Sequence, residues 1–107
     1  MIKEEFIKHG WKIRNEFEFD GSAYYDAVKD NVRFEVIERD DFRIWVSYKK
    51  EYITMPMEEA TWENVTKGMK KTLDEMVRCE DAKMEKALSA SKERKEQYEK
   101  AKRAIGQ

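Results

Sequence analysis

The hydrophobic and polar positions along the chain change period once, near residue 60. Ile2 and Phe6 lie four apart, Ile7 widens their stripe, and Gly10 sits where a helix ends in a left-handed residue. The spacing predicts a short helix over residues 2–9. Alternation then begins: Trp11, Ile13, Phe17 and Phe19 occupy odd positions, with Lys12, Arg14, Glu16 and Glu18 between them, as in a half-buried strand. Asp20-Gly21 is a two-residue hairpin signal that would pair Phe19 with Ser22, Phe17 with Tyr24 and Ile13 with Val28. The apolar set thereby passes to even positions: Val32, Phe34 and Val36, then Phe42, Ile44, Val46 and Tyr48. Even facing even requires odd-length loops. Three-residue connections are therefore expected at residues 29–31 and 39–41, pairing Val28 with Val32 and Val36 with Ile44. A fifth strand, residues 52–55, returns after Lys49-Lys50 and ends before Pro56.

From Thr61 the period is helical. Thr61 is a candidate N-cap with Asn64 three residues on, an incomplete capping box. Trp62, Val65, Met69, Leu73, Met76, Met84 and Leu88 form a stripe interrupted at Glu80, and beyond Leu88 only Tyr98 and Ile105 are large and apolar. A continuous helix over residues 61–105 would span about 65 Å at ~1.5 Å per residue, longer than a domain of this size is wide. Its end must leave the body, break and fold back, or pack on another chain. The expected fold is α+β: a short N-terminal helix, a four- to five-stranded antiparallel meander and a long C-terminal helix. Residues 1–60 and 61–107 belong to one domain, and contact between helices of two copies predicts a homo-oligomer.

Charge divides along the same boundary. The 107 residues hold 22 basic and 23 acidic side chains, 42% of the chain, for a net charge of -1. Residues 1–60 carry 10 Lys/Arg and 14 Asp/Glu, and residues 61–107 carry 12 and 9, so the halves stand at -4 and +3. The balance argues against a chain-wide basic DNA binder and against a uniformly acidic mimic of nucleic acid. No apolar run reaches the roughly 18–20 residues of a membrane span, the opening MIKEEFIKHG has no signal-peptide core, and one cysteine makes no internal disulfide. The expected location is the cytoplasm, with no membrane partner.

Parts for catalysis are scarce. His9 is the only histidine and Cys79 the only cysteine, which excludes Cys/His zinc sites and leaves no base to spare for a triad. His9, just before Gly10, suits a helix end, where an imidazole satisfies carbonyls. The four glycines are isolated, so no Gly-rich phosphate loop exists. Glu38, Asp40 and Asp41 form the densest acidic cluster, but Arg39 sits among them and a solvated turn explains them. Nothing in sequence activates Cys79. Glutamates interleave with the basic residues of 92–103, which favours a solvated or coiled-coil face over nucleic-acid binding. No enzyme activity, metal or cofactor is expected.

With the even set buried, the opposite sheet face carries Tyr25, Arg33, Glu35, Ile37, Arg43 and Trp45. The expected register puts Tyr25 opposite Glu35 and Glu35 opposite Trp45. A solvated antiparallel face is normally polar. Aromatics beside arginines are the composition of interface hot spots, so these six are the candidate partner-binding residues.

The short chain, its dense charge of both signs, the terse MIKEEFIKHGWKI opening, the small sheet and the missing catalytic constellation resemble small accessory proteins of phages and mobile elements, including anti-defence inhibitors. That resemblance is one of composition and layout across the whole chain, without a shared motif. It implies a non-enzymatic protein that binds and blocks a host or defence protein. Two alternatives stand beside it. One is a nucleic-acid or nucleotide-binding module using the aromatic face; the other is a structural protein that self-assembles through the helix.

Overall fold

The computed structural model describes residues 2–84 and 89–106. Helix α1 (Ile2–Lys8) leads into five strands, β1 (Lys12–Phe19), β2 (Ser22–Lys29), β3 (Val32–Glu38), β4 (Arg43–Tyr48) and β5 (Glu51–Pro56). A 3-10 turn at Met57–Glu59 precedes helices α2 (Trp62–Met84) and α3 (Ser89–Ile105). The strands form one antiparallel sheet in the order β1-β2-β3-β4-β5, so the fold is α+β.

The first helix stops where its sequence says it should. Gly10 takes φ 90°, its N–H reaches Ile7 O at 3.0 Å, and Trp11 N–H reaches Phe6 O at 2.9 Å. His9 turns its Nδ1 back to Glu5 O at 2.8 Å and stacks on Trp62 with ring centroids 4.3 Å apart, tying α1 to α2. Lys29 Nζ donates to His9 O at 3.0 Å and binds the same corner to β2.

The hairpins depart from the expected registers in three places. Asp20 and Gly21 both have positive φ, and the turn pairs Phe19 with Ser22 and Phe17 with Tyr24 as anticipated. The second turn also has two residues, Asp30 (φ 52°) and Asn31 (φ 64°), and sets Lys29 against Val32 rather than Val28. Asp and Asn tolerate the left-handed region, so the pair makes the primed turn without glycine. This even-length turn reverses the parity of β2, whose buried apolar side chains are Tyr25 and Ala27. A bulge between Arg14 and Phe17, with Asn15 at φ 55°, restores agreement in β1: Ile13 pairs with Ala27 instead of Val28.

The third turn keeps its odd length but lies one residue later, over residues 40–42. Phe42 N–H donates to Arg39 O at 3.2 Å, Phe42 takes φ 61°, and Arg39 N–H closes the loop on Arg43 O at 2.9 Å. Val36 consequently pairs with Val46, two positions beyond Ile44, and the buried faces of β3 and β4 still coincide. Phe42, expected in the core, is a turn residue 78% exposed.

One long helix is replaced by two. Thr61 caps α2 through Asn64 N–H to Oγ1 at 3.1 Å, and Asn64 Nδ2 reaches Glu59 O at 2.7 Å. Helix α3 runs antiparallel to α2, with Arg94 Nε 2.9 Å from Glu80, Lys95 Nζ 2.7 Å from Asp81, and Lys102 paired with Asp74. The longest dimension of the molecule is 46 Å, so the helical segment is accommodated by folding back. Its apolar stripe finds its mate within the chain: Val65, Met69, Leu73 and Val77 of α2 are buried with Tyr98, Ala101, Ala104 and Ile105 of α3. Leu88 and the side chain of Met84 lie outside the described residues. Helices and the first sheet face enclose Phe6, Trp11, Phe34, Ile44 and Val46 in one core. Helix α2 approaches β5 closely at Gly68, where a Cβ would meet Ile53 Cδ1 at 3.0 Å and press that side chain aside.

Candidate functional site

The sheet face turned away from the helices is the candidate site. Register places Phe17, Tyr24, Ile37, Trp45 and Thr54 in one row that crosses all five strands. The neighbouring row is polar, running Arg14, Asp26, Glu35, Ser47 and Tyr52. The apolar row is organised by two ring pairs. Phe17 stacks on Tyr24 with centroids 4.8 Å apart and planes within 7°. Trp45 and Tyr52 lie 4.8 Å apart at 38°, and the Arg39 guanidinium sits 5.6 Å from the Trp45 ring centroid.

Exposure singles this face out. Phe17 is 55% and Tyr52 54% exposed, while Tyr24, Ile37 and Trp45 are half-buried against one another. Phe19 and Phe42 are the most exposed rings, at one end of the sheet where two turns meet through Asp40 N–H to Ser22 Oγ at 3.2 Å. Beside Phe42 a shallow cleft includes Arg43, Pro56 and Met57, and Met57 N–H is held by Phe42 O at 2.8 Å.

Charge on the face is paired and of both signs. Arg33 lies 3.4 Å from Glu35 and 3.9 Å from Asp26, and Asn15 Nδ2 donates to Asp26 at 2.8 Å. Arg39 lies 3.7 Å from Asp41, whose carboxylate also accepts from Arg43 N–H at 3.3 Å, a solvated turn contact. Among the described residues, no three His, Cys, Asp or Glu side chains gather as a metal site.

Of the six candidate partner-binding residues, the structure brings Arg33, Glu35, Ile37, Arg43 and Trp45 onto β3 and β4 of this face. Tyr25 is a correction. It pairs with Val36 and is 2% exposed in the core, because the Asp30-Asn31 turn reversed the parity of β2. Burial, with Glu38 next, pushes its phenol well above the usual tyrosine range. Tyr24 takes its place on the open face. Trp45 faces Ile37 rather than Glu35, following the two-residue change in the β3–β4 register. Phe17 and Phe19, expected with the buried set of β1, and Tyr24, expected opposite Phe17 on that face, stand on the open face instead, because the bulge and the two-residue turn change their side. Tyr52 and Arg39 were not singled out in sequence. The available signals were Asp30-Asn31 as a second primed turn and Asn15 as a left-handed bulge residue.

His9 and Cys79 lie apart from this face: His9 packs at the end of α1 on Trp62, and Cys79 is exposed on α2. Among the described residues, no helix is long and apolar enough to cross a membrane. Comparison with protein-family models, curated proteins and solved structures finds no match to this chain.

Proposed function

We propose that the chain is a non-enzymatic protein-binding module that grips its partner with the open sheet face. The observation that carries this reading is the apolar row from Phe17 to Trp45, flanked by Tyr52, on the face opposite the helices. Isolated exposed hydrophobics are ordinary, whereas a contiguous stacked row rimmed by arginines and acids has the composition of a recognition surface. Carboxylates at Asp26, Glu35 and Asp41 offset the arginines, which suits a protein surface of mixed charge better than a phosphate backbone. In the manner of small phage and mobile-element accessory proteins, the partner is a larger host or defence protein blocked by occupation of its surface.

The test is the Trp45→Ala variant in a binding isotherm with the captured partner, run beside a melting curve. Loss of a central aromatic anchor should cost about 2 kcal/mol or more in affinity, roughly 30-fold. Unchanged affinity would remove the aromatic face as the binding surface. A nucleic-acid reading is separated by salt, because a phosphate-contacting face loses affinity steeply between low and moderate ionic strength.

A further inference from the structure

We infer a second binding site, apart from the aromatic row but sharing Arg33 and Glu35 with the polar edge of that face, for a small phosphate-bearing anion of mononucleotide size. It lies at the end of the sheet opposite Phe19 and Phe42. The β3–β4 ladder stops at Glu35 and Ser47, although β3 begins at Val32 and β4 runs on to Tyr48. Between these strand ends and α3 is a cleft of about 420 Å³, within the range of small-ligand sites. Its polar lining is Arg33, Lys49 and Lys100 with Glu35, Asn31 and Gln97, above the buried Val32 and Tyr48.

Three cations line the cleft, in a chain whose charges otherwise nearly cancel, and one of them, Arg33, is shared by Glu35 in the cleft and Asp26 beside it. Glu35 is engaged by Arg33 at 3.4 Å, and among the described residues Lys49 and Lys100 form no ion pair. The two ammonium charges left without a carboxylate, Lys49 and Lys100, match a phosphomonoester dianion. Lys49 is also fixed in place before any ligand arrives. Its backbone takes φ 56° at the β4–β5 turn, and its ammonium lies 5.7 Å from the Tyr48 ring centroid and 5.5 Å from that of Tyr98. Its ammonium donates a hydrogen bond to Gln97 Oε1. A cation held on two rings loses little freedom when an anion docks. Asn31 and Gln97 supply neutral amide donors at the rim.

The test is a ¹H–¹⁵N titration with AMP at low salt, repeated with adenosine and with a dT oligonucleotide. Saturable shifts should be confined to residues 31–35, 48–49 and 97–100, and adenosine should produce none. Lys100→Gln should weaken AMP binding about tenfold, the loss of one charge-assisted contact. Glu35→Gln should tighten it, because the carboxylate that lines the cleft is removed and Arg33 is left with Asp26 alone. Lys49→Ala should also weaken binding, but it loosens the turn against α3, so Lys100→Gln and Glu35→Gln carry the decision. Absence of saturation, equal shifts with adenosine, or an unchanged affinity in both of those variants would overturn the site. So would tighter binding of the oligonucleotide spread along the helix lysines.

Discussion

Position on one face or the other of the sheet decides what each aromatic residue does. Tyr25 and Tyr24 are neighbours in sequence, yet one is core and the other surface. Tyr25→Ala should therefore destabilise the fold by about 3–5 kcal/mol, as for a buried aromatic, whereas Phe17→Ala on the open face should cost about 0.5–1 kcal/mol from its lost stacking on Tyr24. Urea midpoints of the two variants check this; comparable losses would contradict the β2 parity. Trp45→Ala falls between, at about 1–2 kcal/mol, since it gives up both Tyr52 and the Arg39 guanidinium. Glu38 offers a pH test. Burial, reinforced by the charge of Glu4 and opposed by Lys3, raises its carboxyl above the ordinary value of 4.5. The folded state thus holds this proton more tightly than the unfolded chain. Glu38 contributes stability that is present below the ordinary value and lost as pH rises through the folded value. Glu38→Gln should abolish that part of the decline, seen as a flatter dependence of urea stability on pH above 4.5.

The strands were more legible in sequence than the turns that join them. All five strands and the short first helix follow from alternation and from Gly10, because burying one face of a pleated sheet leaves a period-two record in the chain. Turn geometry leaves a weaker record. Asp20-Gly21 announces itself through glycine, but Asp30-Asn31 makes the same primed turn with two residues that also suit ordinary loops. The bulge at Asn15 then hid the error, since it let an odd-numbered β1 still face the core through Ile13. Phe42 misled by being hydrophobic and in step with Ile44, although it occupies a left-handed turn position. Arg33, Glu35, Ile37, Arg43 and Trp45 were legible because the β3–β4 loop kept its odd length. Tyr24 and Phe17 were not, because their face depends on the two irregularities. The β2–β3 turn can be tested directly. Asn31→Gly should be neutral or stabilising, whereas Asn31→Val should cost about 1–2 kcal/mol, because a β-branched residue pays for the left-handed conformation. Equal denaturant midpoints for these variants would argue against the two-residue turn.

At the scale of the whole molecule, charge, shape and apolar surface separate into two layers. The acidic half of the chain forms the whole sheet, and the basic half forms the helical hairpin whose stripe closes on the core. Because α3 covers the apolar stripe of α2 within the chain, self-association through the helices is not required to bury that stripe. Light scattering should return a species near 12.9 kDa. A dimer that persisted after Phe17→Ala and Tyr52→Ala would place self-association on the helices after all. What remains unpaired is the sheet face, and a single comparison tests whether that face is the working surface. Wild-type protein, the Phe17→Ala/Tyr52→Ala double variant and a Lys71→Ala control on the exposed side of α2 are used in parallel to measure affinity for the same captured partner, with a melting curve for each. Binding should fall at least tenfold in the face variant and stay unchanged in the control, while both variants keep a cooperative melting transition. Equal affinity for all three proteins would contradict recognition through the sheet.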